Sequence, residues 1–293
     1  MTALPRSAAP PSPPAPIESP GVVHRPAWRL SADATEAFTA RLIEEVPVAL
    51  TYNGVSHAVM LASPGDLEDF ALGFSLSEGI IETPQELLDL EVAPAGEGVE
   101  VRLTITARRF AALKDRRRTL AGRSGCGLCG VERLADAMRP LPELADQTAL
   151  SLASIRRALD GLAPLQRLNR LAGAVHAAAW AEPDGAILHL AEDVGRHNAF
   201  DKMIGAMARR PGDRPPGFAV LTSRLSYELV QKAATTGISA LVAISAPTAL
   251  AIEAAMRSGI CVVALARADS VSVYAHPERI IDLNEASACS PTA

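Results

Sequence analysis

Residues 218–266 have the sequence FAVLTSRLSYELVQKAATTGISALVAISAPTALAIEAAMRSGICVVALA, in which short apolar runs alternate with longer amphipathic segments. The apolar runs at 218–222, 240–244 and 260–266 predict buried strands, and the segments between them predict helices. Continuous apolar strands that alternate with helices indicate a parallel sheet covered by helices on both faces. This stretch therefore predicts an α/β fold.

The chain before and after this stretch predicts hairpins and further helices. Asn53-Gly54 lies between the apolar runs 46–51 and 55–61, and a two-residue Asn-Gly loop is a strong hairpin signal. The other elements that we expect are a second hairpin of 174–180 with 186–191 around Pro183-Asp184-Gly185, helices at 64–78, 131–138, 226–236 and 248–257, a helix at 150–171 split by Pro164, a helix that begins near Asn198 or Ala199, and strands at 99–105 and 271–274.

Composition divides the chain into three expected segments. Residues 1–22 are rich in proline and predict a disordered tail. Residues 23–139 predict a smaller, β-rich α+β domain that ends in a basic loop with two cysteines, and residues 140–293 predict the α/β domain. The basic stretch at 108–123 has seven Lys or Arg residues and one acid. Such a stretch fits either a solvated face or a docking surface for an anionic cofactor or an acidic partner.

Charge and hydropathy limit the class of function. The 293 residues carry a formal net charge of -5, which argues against general nucleic-acid binding. No apolar run approaches the roughly 18–20 residues that span a bilayer, and the N-terminus lacks the apolar core of a secretory signal. We therefore expect a cytoplasmic protein that binds neither nucleic acid nor membrane.

Polar residues follow the predicted strands of the α/β domain, where ligands of such sheets bind. The free N–H groups of helix N-termini would also face this edge, so we expect a phosphorylated or nucleotide-like ligand there. The alternative is that Ser226 and Thr248 only cap helices and that His197 is a structural histidine. The candidate ligand-binding residues are Arg196, His197, Ser223, Arg224, Ser245 and Thr248.

Cys126 and Cys129 form a CxxC motif among glycines, directly after the basic stretch. A metal site needs four ligands, and Cys261 and Cys289 lie in a predicted buried strand and near the C-terminus, so zinc would require two copies of the motif across a dimer. A thioredoxin-like redox pair would open a helix after a strand, which this loop does not. Nearby arginines would lower a thiol pKa and favour a persulfide carrier. The motif alone leaves these three roles open.

Several segments together resemble the FdhD family of formate dehydrogenase accessory sulfurtransferases. They occur in the family's order between about residues 23 and 285. The segments that carry the resemblance are GRSGCGLCGVE at 122–132, EDVGRHNAFDK at 192–202, SRLSYELVQK at 223–232, SAPT at 245–248 and VYAHPER at 273–279.

The resemblance implies a sulfurtransferase that takes persulfide sulfur from a cysteine desulfurase. The sulfur would pass to the molybdenum bis-guanine-dinucleotide cofactor, bound as a substrate, before that cofactor enters formate dehydrogenase. Cys126 would be the persulfide carrier and Cys129 its helper, and no permanently held metal is expected. The family's cofactor-binding stretch corresponds to Leu265, Ala266, Arg267, Ala268, Asp269 and Ser270.

The resemblance also implies a homodimer and a cytidine-deaminase-like, three-layer C-terminal domain with a mainly parallel sheet. Zinc deamination itself is not expected, because the chain lacks the H-x-E and P-C-x-x-C segments at the comparable helix starts. The alternative functions are a non-catalytic chaperone of the molybdenum cofactor and a structural zinc site shared across a dimer.

Overall fold

The computed structural model describes residues 21–120, 140–267 and 269–283, with the side chains of 116–120 excepted. Residues 1–20 of the expected tail, the helix at 131–138, Cys126, Cys129 and Ala268 lie outside these residues, whereas Val22, the last residue of that expected tail, begins a strand. The strands are β1 Val22–Leu30, β2 Thr35–Ile43, β3 Val46–Tyr52, β4 Val55–Ala62, β5 Leu87–Ala95, β6 Gly98–Ile105, β7 His176–Ala181, β8 Ile187–Asp193, β9 Phe218–Leu221, β10 Ala240–Ala243, β11 Cys261–Ala264 and β12 Ser272–Ala275. The α-helices are α1 Leu67–Ser77, α2 Ala107–Leu120, α3 Leu152–Leu165, α4 Arg167–Ala172, α5 Arg196–Ala208, α6 Tyr227–Thr235 and α7 Ala249–Ser258.

The N-terminal part contains a four-stranded sheet in the order β4-β3-β6-β5. The predicted hairpin of β3 and β4 is confirmed, and its Asn53 and Gly54 both have positive φ, as a type I′ turn requires. Helix α1 begins later than predicted, at Leu67, because Asp66 adopts a left-handed conformation (φ 54°) that an α-helix cannot include. Pro64 therefore precedes the helix.

Six strands of the C-terminal part form a second sheet in the order β12-β11-β10-β9-β7-β8. Strands β9, β10 and β11 are parallel, as the sequence predicts. Strand β7 is antiparallel to both β8 and β9, so β8 runs in the same direction as β9, β10 and β11. The carboxyl ends of β8, β9, β10 and β11 therefore lie at one edge, with the amino end of β7 between β8 and β9.

The two faces of this sheet are covered by different helices. Leu221, Leu241 and their neighbours pack with α1, α5, α6 and α7 in one core. Phe218, Val220 and Val242 point to the opposite face, where they pack with α3. Alternation along each strand thus produces helix, sheet and helix layers, as continuous apolar strands predict.

Helices α1 and α5 join the N-terminal part to this sheet through a close crossing. A β-carbon built on Gly73 would overlap the backbone carbonyl of Asp201, and one built on Gly205 would overlap that of Asp69. Two glycines at one crossing let the helix backbones approach more closely than side chains allow. The first core is therefore continuous from the N-terminal sheet to the six-stranded sheet.

Candidate functional site

The polar segments that follow β8, β9, β10 and β11 meet at the shared carboxyl edge of the six-stranded sheet, as predicted. Arg196 and His197 follow β8, and Ser223 and Arg224 follow β9. The predicted loop at 192–198 is mostly regular structure, however. Strand β8 extends to Asp193 and α5 begins at Arg196, so the predicted helix start near Asn198 is wrong. Both candidate side chains thus belong to the first turn of a helix.

Positively charged side chains cluster where α5 begins. His176, the first residue of β7, is half-buried; burial and then the charges of Arg196, Arg224 and His197 lower its pKa. Nε2 of His197 lies 2.7 Å from a carboxylate oxygen of Glu228 in α6. That hydrogen bond lowers the pKa of Glu228, with Arg196 contributing through its charge. The cluster can hold an anion, because its arginines outnumber its one carboxylate.

Apart from Nε2 of His197, which faces the Glu228 carboxylate, two buried polar atoms at this edge have no hydrogen-bond partner among the described residues. They are Nε of Arg196 and Oγ of Ser226. Ser226 occupies the N-cap of α6 but makes no side-chain cap hydrogen bond. Buried polar groups without partners are rare in folded proteins, and a bound water, ion or ligand can supply the missing hydrogen bond. The N-terminus of α6 adds the partial positive charge that favours an anion.

Thr248 and Ser223 make ordinary local hydrogen bonds. Oγ1 of Thr248 accepts a hydrogen bond from the Ala251 amide at 3.3 Å, which is the helix-capping alternative given above. Oγ of Ser223 donates to the carbonyl of Arg224 at 3.2 Å, and Ser223 is buried. Neither hydroxyl is assigned to a ligand by its geometry.

The stretch after β11 begins with a strained residue. Leu265 has φ 49°, a left-handed conformation that aliphatic side chains rarely adopt. Its amide donates to the carbonyl of Ser245 at 3.3 Å, and the Arg267 amide donates to the carbonyl of Ser270 at 2.8 Å. Ala266 is buried, whereas Arg267, Asp269 and Ser270 are exposed. Strain of this kind is often found where a backbone approaches a ligand.

The edge is long enough for an extended ligand. Four strand spacings separate β8 from β11, and neighbouring strands lie about 4.8 Å apart, so the two ends of the edge are about 19 Å apart. A single phosphate cannot contact both ends. A dinucleotide can.

His176 and Glu228 were not predicted from the sequence. The predicted hairpin of 174–180 with 186–191 brings the start of its first strand beside residues 192–198, so His176 could have been found. The structure confirms this neighbourhood, because His176 pairs with Asp193. Glu228 gave no such signal, because one acid in an amphipathic helix is ordinary.

Part of the predicted basic surface stabilises the fold. Arg108 and Arg109 lie in α2 and form ion pairs with Glu82 and Glu86.

Cys261 is buried, which raises its thiol pKa to about 11, so it is not a reactive cysteine. In residues 21–120, 140–267 and 269–283, three or more His, Cys, Asp or Glu side chains nowhere form a group that could hold a metal ion. Within the same residues, every helix is too short or too polar to cross a bilayer.

Comparisons with known proteins agree on one family. Residues 43–281 match the model of the FdhD/NarQ family. The "Sulfur carrier protein FdhD" of Bordetella petrii is 48% identical over 240 residues, which cover 82% of this chain and 86% of that protein. A crystal structure from Desulfotalea psychrophila, described as a formate dehydrogenase accessory protein, superposes with a TM-score of 0.73 at 24% identity. It covers 89% of this chain and 100% of its own, and shows that the two share a fold.

Proposed function

The chain belongs to the FdhD/NarQ family, and on that premise we propose that it is a sulfur carrier for the maturation of formate dehydrogenase. It accepts persulfide sulfur from a cysteine desulfurase on Cys126 and delivers it to the molybdenum bis-guanine-dinucleotide cofactor. The cofactor is a substrate and enters formate dehydrogenase afterwards. The homodimer, the deaminase-like C-terminal domain and the cytoplasmic location remain predictions that accompany this proposal.

The arginines and the unpartnered buried polar atoms at the carboxyl edge are the observation that supports the proposal. Arg196 and Arg224 lie beside the N-termini of α5 and α6, where a pyrophosphate group would find both charge and free donors, and the His176 ring lies next to them. The length of about 19 Å between β8 and β11 suits a dinucleotide, whose second end would reach the strained stretch that begins at Leu265.

The sulfur transfer balances with two thiols. The Cys126 thiolate attacks the outer sulfur of the donor persulfide, which releases the desulfurase cysteine as a thiolate and leaves a persulfide on Cys126. The Cys129 thiolate then attacks Sγ of Cys126. A Cys126–Cys129 disulfide forms, and the outer sulfur leaves with the bond's electron pair as hydrosulfide, which the metal centre of the substrate takes up. A dithiol reductant must then reduce the disulfide.

Peptide mass spectrometry tests the carrier step directly. We would incubate the purified protein with a cysteine desulfurase and L-cysteine without reductant, and compare wild type with Cys126→Ala, Cys129→Ala and the control Cys261→Ala. We expect a gain of one sulfur on the Cys126 peptide that only Cys126→Ala abolishes. Formate dehydrogenase activity retained in a Cys126→Ala strain would contradict sulfur transfer. Full activity with both Cys126 and Cys129 replaced would favour the chaperone function.

A further inference from the structure

The end of β8 and the middle of α5 are joined by a buried ion pair that the sulfur chemistry does not use. Nζ of Lys202 lies 2.7 Å from Oδ2 of Asp193, and the two residues are 1% and 0% exposed. Burying two charges is costly, and such pairs persist where they fix a particular arrangement. The arrangement here is the first turn of α5.

The Asp193 carboxylate accepts hydrogen bonds that start this helix. Its Oδ1 accepts from the Gly195 amide at 2.8 Å and from Nδ2 of Asn198 at 3.0 Å. Gly195 is the N-cap of α5 and has no side chain of its own to cap the turn. Asp193 therefore accepts the amide of the N-cap residue and holds the side chain of Asn198, the third residue of the helix. Arg196 and His197 directly follow the capped residue.

The same pair ties the site to the N-terminal part of the chain. Oδ2 of Asp193 accepts from the Ser63 amide at 3.0 Å, and Nζ of Lys202 donates to the Ser63 carbonyl at 3.0 Å. Nδ2 of Asn198 also donates to the carbonyl of Leu61, the penultimate residue of β4, at 2.8 Å. One carboxylate and one ammonium group thus fix β4, β8 and α5 relative to one another.

We propose that Asp193 and Lys202 are a positioning pair that holds the first turn of α5, and with it Arg196 and His197, in the orientation that binds the anionic part of the substrate. This inference rests on the proposed function of the carboxyl edge. It adds two residues that do not touch the ligand but set the geometry of those that do.

A second buried pair, between Asp201 in α5 and Lys232 in α6, provides the control. Asp201 accepts from Lys232 at 2.9 Å and from Ser77 at 2.6 Å, and neither Asp201 nor Lys232 bonds to the first turn of α5. The test compares D193A/K202M with D201A/K232M. Each variant removes both charges of one pair, so that neither partner is left as a lone buried charge, and Glu78, which also contacts Lys232, is partly exposed to water.

The measurement is isothermal titration with guanosine diphosphate and with inorganic pyrophosphate, well below the thermal midpoint of every variant. We expect D193A/K202M to raise both dissociation constants by roughly 10- to 100-fold, the usual effect of losing a group that orients a ligand-binding residue. D201A/K232M acts on the site only through the charge of Lys232 near Glu228, so it should change them by less than about fivefold. Equal effects of the two variants, or none for D193A/K202M, overturn the proposal.

Two more variants separate positioning from general stability. D193N/K202M restores an oxygen acceptor for the Gly195 amide and should recover most of the lost affinity. Asn198→Ala removes one hydrogen bond to Asp193 and leaves the ion pair in place, so it should weaken binding of both probes. This variant keeps the proposal testable if D193A/K202M does not fold. If wild-type protein binds neither probe, the anion site itself is contradicted. If wild type and D193A/K202M bind the probes equally, only the positioning role of the pair is contradicted.

Discussion

Gly73→Ala should destabilise the protein by about 3 kcal/mol through the crossing of α1 with α5. The new β-carbon would lie 2.6 Å from the carbonyl carbon of Asp201 and 2.8 Å from the amide nitrogen of Gly205, both backbone atoms that cannot rotate away. Ordinary contact begins near 3.4 Å and the carbonyl oxygen of Asp201 lies closer still than these two atoms, so the helices must separate by more than about 1 Å. Overpacking of this kind costs about 1–3 kcal/mol.

The separation also stretches the hydrogen bond of 2.6 Å between Ser77 and Asp201, whose loss adds about 1.5–3 kcal/mol. The better helix propensity of alanine offsets about 1 kcal/mol. The sum is about 3 kcal/mol, which corresponds to a thermal midpoint lower by about 6–12 °C.

Thermal unfolding followed by circular dichroism measures this effect, with Gly161→Ala as the control. Gly161 also lies within a helix, but its new β-carbon would meet only the Ile187 side chain, at 3.1 Å, so this variant should be neutral or slightly stabilising. A Gly73→Ala midpoint within about 2 °C of wild type would refute the close crossing.

Thr248→Ala should lower the free energy of unfolding in urea by about 1 kcal/mol, because it removes the hydrogen bond that caps the Ala251 amide. Ser226→Ala removes no capping hydrogen bond and should change that free energy by less than about 0.5 kcal/mol. Equal losses in the two variants would contradict this. The folded-state pKa of His176 lies below its ordinary value of 6.5, so the unfolded chain binds more protons and wild-type stability should fall as the pH drops below about 6.5. His176→Gln should lack this component, and unchanged urea midpoints across that range in wild type would contradict it. Iodoacetamide at about pH 8 should leave Cys261 unmodified in the native protein and modify it after denaturation, because its buried thiol has a pKa of about 11; labelling of native protein would contradict this.

Local patterns were sufficient for the elements of the α/β part. Apolar runs of five to seven residues located β9, β10 and β11, and Gly237 and Gly259 marked the ends of α6 and α7. The β1–β2 hairpin escaped prediction because it packs little of either face and so lacks a clean apolar alternation. Strand β5 was missed for the same reason, since most of its residues are exposed or only half-buried.

The candidate site was predicted as a location, and its geometry was not. The order of strands and helices was enough to bring Arg196, His197 and Arg224 to one edge. Sequence spacing could not show that α5 begins at Arg196. The amide of Gly195, just before the helix, donates to Asp193, and Asp193 is held in turn by the amide of Ser63, which is 130 residues away in the chain. Contacts over such separations have no periodic signature.

The density of polar residues at 192–202 is therefore mostly a property of the fold. Glu192 accepts the amides of Leu168 and Asn169 at 2.7 and 2.8 Å and so caps α4, and the carboxylate of Asp193 is occupied by α5, Ser63 and Lys202. A polar group whose hydrogen bonds are all made inside the protein has little left to offer a ligand. Arg196 differs, because its buried Nε has no partner among the described residues. We therefore expect binding by this segment to depend on Arg196, and Asp193 to hold the start of the helix that carries it.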